Sequence, residues 1–89
     1  MYKIICVKHV QGEMNGYPYD NHKFVCLSSD VPSSLVAGQN VEVLKLKTAT
    51  FEEIMKTRGY AVSDFPGNVL VPQFNQYGNM VDFVVESAT

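Results

Sequence analysis

Cys6-x2-His9 and His22-x3-Cys26 together hold two thiols and two imidazoles, the ligand types of a tetrahedral zinc site. Strand geometry argues against their convergence. At ~3.3 Å per residue an extended chain separates His22 from Cys26 by about 13 Å, and it turns Cys6 and His9 to opposite faces. The sequence around each pair reads as strand, so the expectation is no metal, no other cofactor, and two reduced cysteines packed as small apolar residues. Covalent catalysis is poorly supplied as well. The serines gather in a polar connector, no Gly-x-Ser-x-Gly turn occurs, neither histidine stands in a relay with a serine or cysteine, and no glycine-rich phosphate loop carries a lysine. The chain is therefore expected not to be an enzyme.

The aromatic residues carry more information. Tyr17 and Tyr19 bracket Pro18 beside Gly16, and Phe74 and Tyr77 lie close to Gly78. Large rings at turn tips are hard to bury, whereas on a surface they can stack on nucleobases, each contact contributing about 1 to 3 kcal/mol without demanding sequence. The plain alternative is that these rings cover the ends of a barrel or a subunit interface. Cations are unevenly placed: residues 1–50 hold Lys3, Lys8, Lys23, Lys45 and Lys47 against Glu13, Asp20, Asp30 and Glu42, while residues 51–89 hold Lys56 and Arg58 against Glu52, Glu53, Asp64, Asp82 and Glu86. A modestly basic amino-terminal face is expected. The candidate nucleic-acid-binding residues are thus Tyr17, Tyr19, Lys23 and Tyr77, with Lys3, Lys8, Lys45 and Lys47 as phosphate partners.

Strands must position these side chains. Residues 2–10 are rich in β-branched and aromatic types and read as a first strand; residues 11–20 carry turn chemistry around Asn15-Gly16 and read as a loop or hairpin tip. Residues 19–28 alternate as a second strand, with Asp20, His22, Phe24 and Cys26 on one face and Tyr19, Lys23, Val25 and Leu27 on the other. After a polar connection over 29–40, residues 41–47 form a third strand whose apolar phase changes between Val43 and Leu44, which predicts a bulge or bend. Thr50 and Glu53 have the spacing of a capping box, so a short helix is expected at roughly 50–58, ending at Gly59. Residues 68–74 read as a fourth strand, with Pro72 at an edge or bulge, and residues 80–86 as a fifth, closing a hairpin through Gln76-Tyr77-Gly78-Asn79. Three strands, a helix and two strands are the element order of a small, mainly β, five-stranded OB-fold barrel; a partly open α+β roll is the rival. Val7, Phe24, Cys26, Val43, Phe51, Ile54, Val81 and Phe83 are the expected core.

Composition bounds the rest. With 89 residues and 46% hydrophobic side chains, the sequence supports one OB-fold-like domain over 1–89. No apolar run approaches the ~20 residues of a membrane-spanning helix, and Lys8 interrupts the amino-terminal run before a secretory signal core could form. A cytoplasmic location, away from membranes, is the expectation. A net charge of −2 excludes a protein that coats duplex DNA by bulk charge alone.

Gly16-Tyr17-Pro18-Tyr19 followed by Phe24-Val25-Cys26, together with Gln76-Tyr77-Gly78 leading to Asp82, resembles the single-stranded DNA-binding proteins of the gene V type, from filamentous phages and related mobile elements. The first segment is similar to their Gly-x-Pro-Tyr wing, with a cysteine seven residues after the tyrosine, and the second to their aromatic-glycine hairpin tip. The resemblance implies an OB-fold homodimer that coats single-stranded DNA during replication, with Tyr19 in the wing and Tyr77 at the tip of a dimer-spanning hairpin. Arginines typical of the family's wing are missing here, where His9, Met14 and Tyr17 stand, and Leu27 replaces a second tyrosine on the returning strand. A homodimer is also favoured by the small size of the domain and by Phe74, Tyr77 and Met80 lying near one another in the last hairpin. The alternative reading is an OB-like phage or plasmid accessory protein that binds and modulates a host protein.

Overall fold

A computed structural model of the protein describes residues 1–88. Its elements follow the order β1 (Tyr2–Met14), β2 (Tyr17–Ser28), β3 (Asn40–Lys47), α1 (Thr48–Arg58), a 3₁₀ turn (Val62–Asp64), β4 (Val69–Phe74) and β5 (Met80–Glu86). The strands form one antiparallel sheet in the spatial order β3-β2-β1-β4-β5. The edge strands β3 and β5 approach each other but exchange no ladder, so the sheet is not closed into a barrel. Among the described residues no helix is long and apolar enough to cross a membrane.

Turn chemistry at Asn15-Gly16 has a larger consequence than a loop. Asn15 at φ 53° and Gly16 at φ 82° supply the two left-handed positions of a two-residue hairpin turn. Both strands therefore run to the turn, and residues 11–14 and 17–18, expected as a loop or hairpin tip, are paired strand continuous with 19–28: Met14 faces Tyr17, Gly12 faces Tyr19 and Gln11 faces Asp20. The result is a long hairpin whose distal half, a wing over residues 11–20, is exposed on both faces.

The core lies under the near half of that hairpin. Ile4, Phe24, Cys26, Leu46, Phe51, Ile54, Phe65, Leu70, Met80 and Phe83 are buried in one cluster, with Val7, Leu44, Met55 and Tyr60 packed against it. Phe24, Phe51, Phe65 and Phe83 pack ring to ring with centroids 5.0 to 6.1 Å apart. Tyr60 lies against Phe65 and Phe83 and accepts the Val85 N–H through its hydroxyl, so a polar atom near the core keeps a partner. Helix α1 packs on β2, β3 and β5 through Phe51 and Ile54.

Two core expectations are corrected, and for one reason. Val43 and Val81 are exposed by 53% and 47%. Strand β3 pairs with β2 in unbroken register, so Leu44 and Leu46 face inward and Val41 and Val43 outward; no bulge interrupts it. The bulges lie elsewhere. On β1 the partners step from Ile4–Cys26 to Cys6–Val25, leaving Ile5 unopposed, and on β5 they step from Met80–Phe74 to Asp82–Gln73, leaving Val81 unopposed. Each bulge shifts the alternation by one residue, which is why Met80 and Phe83 can both be buried while Val81 is pushed out.

The helix start also differs from expectation. It begins at Thr48 with Lys47 as N-cap, and no side chain caps it, so Thr50 and Glu53 sit within the first two turns and form no capping box. Its end is as expected: Gly59 takes φ 69° and donates its N–H to the Met55 carbonyl, with Lys56 and Arg58 in the last turn. Pro72 lies beyond the short β1–β4 ladder, which covers only Tyr2–Leu70 and Lys3–Val69, so its missing N–H interrupts no pairing with β1.

Candidate nucleic-acid interface

Pairing register decides what each face of the β1–β2–β3 sheet carries. Partners directly opposite one another share a face, and successive residues alternate. The inner face bears Ile4, Val7, Phe24, Cys26, Leu44 and Leu46. On the outer face, Lys8, Lys23 and Lys45 form one continuous cross-strand row. Asn21 pairs with Lys47 on the wing side of that row, and Lys3 pairs with Leu27 and Leu27 with Val41 on its other side. Between them run Cys6, Val25 and Val43.

Within β1–β3 no carboxylate shares that face; on the continuation of the sheet, Glu86 of β5 stands in line with Lys3 through Val69. Glu13, Asp20 and Glu42 alternate to the inner side, and Asp30 sits in the connector after β2. Every lysine of the protein except Lys56 is therefore gathered on the outer surface of three strands, which resolves how a chain of net charge −2 presents a basic face. Like charges directly opposite on neighbouring strands are destabilising. The folded chain thus carries three like charges, Lys8, Lys23 and Lys45, directly opposite one another on neighbouring strands.

The wing adds rings to the same face. Tyr17 and Tyr19 alternate outward with Lys23, and they are exposed by 77% and 40%. Tyr19 lies across Gly12: a Cβ built there would come within 2.5 Å of the tyrosine oxygen, so only glycine admits the ring in this position. The ring thus lies over the Gly12 backbone while the residue stays 40% exposed. Gly12 is what lets Tyr19 lie this way, which composition alone does not reveal; the signal that finds it is its register opposite Tyr19.

Tyr77 stands apart. It caps the β4–β5 hairpin, exposed by 77%, in a turn built by Asn75, whose side-chain oxygen accepts the N–H groups of Tyr77 and Asn79 while its carbonyl accepts that of Gly78. Phe74 at the base of this turn is exposed, but Met80, expected beside them at the surface, is buried at 6%. Close to the helix end, Arg58 is engaged by Asp82 at 2.8 Å.

Both cysteines are free thiols on opposite faces, Cys26 in the core and Cys6 half-buried on the outer side rather than packed inside. Burial pushes the Cys26 thiol up to about 11, so it stays protonated and unreactive. Among the described residues no group of three or more His, Cys, Asp or Glu side chains is placed to hold a metal. His9 and His22 do meet, on the inner face, where they join Asp20 and Thr48. No family model, characterised protein or solved structure matches the chain.

Proposed function

We propose that the protein is a non-enzymatic single-stranded DNA-binding protein that lays the strand across the outer face of β1–β3. The observation that carries this reading is the carboxylate-free row Lys8–Lys23–Lys45, flanked by Lys3 and Lys47 and continued by Tyr17 and Tyr19. Lysines spaced by neighbouring strands can follow a phosphate backbone, and open tyrosine faces can stack on bases whatever their identity. From Tyr17 to Leu27 the face extends for about 33 Å at ~3.3 Å per residue, enough length for several nucleotides of an extended strand.

The proposed architecture is an OB-type barrel in an open form. Strand order and helix position agree with it, and pairing of β3 with β5 is the one ladder that closure would add. In this reading the chain resembles the gene V type of phage and mobile-element proteins in function as well as in its wing. A homodimer through the β4–β5 hairpin belongs to the same proposal, because Phe74, Tyr77 and the bulged Val81 remain exposed together there.

Titration with polydeoxythymidine, followed by tyrosine fluorescence, tests the function. Saturable binding at low salt that weakens as salt rises is the expected result. Absence of binding at low salt, or equal affinity for duplex, overturns it. Light scattering tests the dimer separately, and a mass equal to one chain at every micromolar concentration would exclude it.

A further inference from the structure

At the foot of the wing, the inner face holds a cluster that the lysine face does not use. His9 and His22 lie opposite each other on β1 and β2 with their rings stacked, centroids 4.5 Å apart and planes 9° apart. His22 stacks in turn on Phe51 of α1 at 3.9 Å, also within 9° of parallel. Asp20 Oδ1 accepts from His9 Nε2 at 2.5 Å and from the Thr48 hydroxyl at 2.6 Å. Thr48 has one hydroxyl proton and gives it to Asp20, so its oxygen accepts the Nδ1–H of His22 at 2.9 Å. The cluster spans the surface and the interior, with side-chain exposures of 52% for Asp20 and 42% for His9 at one end and a buried Thr48 at the other.

These contacts join the wing to the rest of the molecule. Residues 11–20 have no core of their own, being exposed on both faces, and Asp20 at the base of that stretch and His22 next to it reach α1 through Thr48 and Phe51. We propose that the His9–His22–Asp20–Thr48 cluster is a proton-operated latch, which holds the wing against the start of α1 while the His22 imidazole is neutral and releases it when that ring takes up a proton. Wing release would move Tyr17 and Tyr19, so the latch regulates the binding face; that last step rests on the single-strand reading, and the latch itself does not.

The surroundings of His22 decide what a proton on it meets. Three charged or titratable groups act on His22: Asp20 from β2 and Glu52 from α1 favour its cation, whereas His9 from β1 opposes it. Burial opposes the cation most, and the net effect lowers the His22 pKa below that of a free imidazole. Asp20, meanwhile, is held ionised by the Thr48 and His9 hydrogen bonds. A proton on His22 puts charge on a ring enclosed between His9 at 4.5 Å and Phe51 at 3.9 Å, where burial has removed the water that would solvate it, and the stack is the contact that yields.

Nuclear magnetic resonance of the full chain tests this directly. The wing amides of residues 12–19 should shift together with the His22 ring protons between about pH 7.5 and about pH 5, while the Phe24 and Phe83 amides stay in place. His22→Phe keeps a ring on Phe51 but removes the titration, and its wing amides should not move over that range. Thr48→Val cuts both hydroxyl bonds, and its wing amides should already sit near the released positions at about pH 7.5. For polydeoxythymidine, the dissociation constant should rise roughly fivefold or more over the same pH range in the parent and stay flat in His22→Phe, as expected when one stacking contact is lost. The latch is refuted if the parent's wing amides ignore the His22 titration, or if His22→Phe shows the same shifts. Failure to bind DNA at either pH would sink the single-strand reading alone, because the amide shifts decide the latch without it.

Discussion

The two hairpins of this protein both end in exposed tyrosines, yet they are different objects. The β1–β2 hairpin turns in two residues at Asn15-Gly16 and sends Tyr17 and Tyr19 out along a face that also carries Lys8 and Lys23. The β4–β5 hairpin turns through a longer loop organised by Asn75, and its strands hold Asp82 and Glu86 but no lysine or arginine, while Arg58 of α1 is paired with Asp82. Inside the molecule the roles reverse: Met80 and Phe83 of β5 are buried in the core, whereas the wing contributes no buried side chain beyond its foot. One hairpin is built to be seen and the other to be packed. An aromatic tip thus says little by itself about binding, and what surrounds the ring decides.

The largest expected effect tests the packed side of that contrast. Phe83→Ala should destabilise the fold by about 3 to 5 kcal/mol in chemical denaturation, because the ring is fully buried among three other phenylalanines. Tyr17→Leu should leave the denaturation midpoint almost unchanged. A loss below about 1 kcal/mol for Phe83→Ala would mean that the last strand does not present that face to the core.

The exposed side is tested by binding. Tyr19→Leu should weaken polydeoxythymidine binding by about 1 to 3 kcal/mol, and Gly12→Ala should act in the same direction by displacing the Tyr19 ring. Tyr77→Leu should cost less than Tyr19→Leu, because no lysine lies in its hairpin to hold the adjoining phosphate. Equal losses at Tyr19 and Tyr77 would erase the distinction between the hairpins, and no loss at either would move the binding face elsewhere. Lys23→Ala, at the centre of the lysine row, should lower the slope of log affinity against log salt by about 0.7, with little change at any other site.

The smallest effect concerns acid stability at the wing foot. Burial and the neighbouring His9 lower the His22 pKa, so between about pH 6.5 and its folded value the unfolded chain takes up the proton first. This contribution to stability is full above about pH 6.5 and is lost as pH falls. Asp20, lowered chiefly by the Thr48 hydrogen bond and then by His9, acts in a lower window: its stabilisation is present above about pH 3.9 and disappears as pH falls through the folded value. The urea midpoint of the parent should therefore decline from about pH 7 to about pH 5 more steeply than that of His22→Phe. Parallel declines would show that the buried imidazole is not what titrates.

Much of the wing was legible in the residues. Asn15-Gly16 selects a two-residue turn, and that turn alone fixes the partners: Met14 with Tyr17, Gly12 with Tyr19, His9 with His22, Lys8 with Lys23 and Val7 with Phe24. Alternation then separates a face of Asp20, His22, Phe24 and Cys26 from one of Tyr19, Lys23, Val25 and Leu27. Local chemistry suffices here because a tight hairpin leaves no freedom in register. Whether Lys45 would stand beside Lys23 was beyond its reach, since a long polar connector separates β2 from β3 and transmits no register. The bulges at Ile5 and Val81 were equally hidden, because an extra residue is placed by the curvature of the whole sheet and by which rings need room, not by the identity of an isoleucine or a valine. Only the folded chain, finally, brings Thr48 from the end of β3 to Asp20 and His22, turning a helix start that caps nothing into the partner of two strand residues.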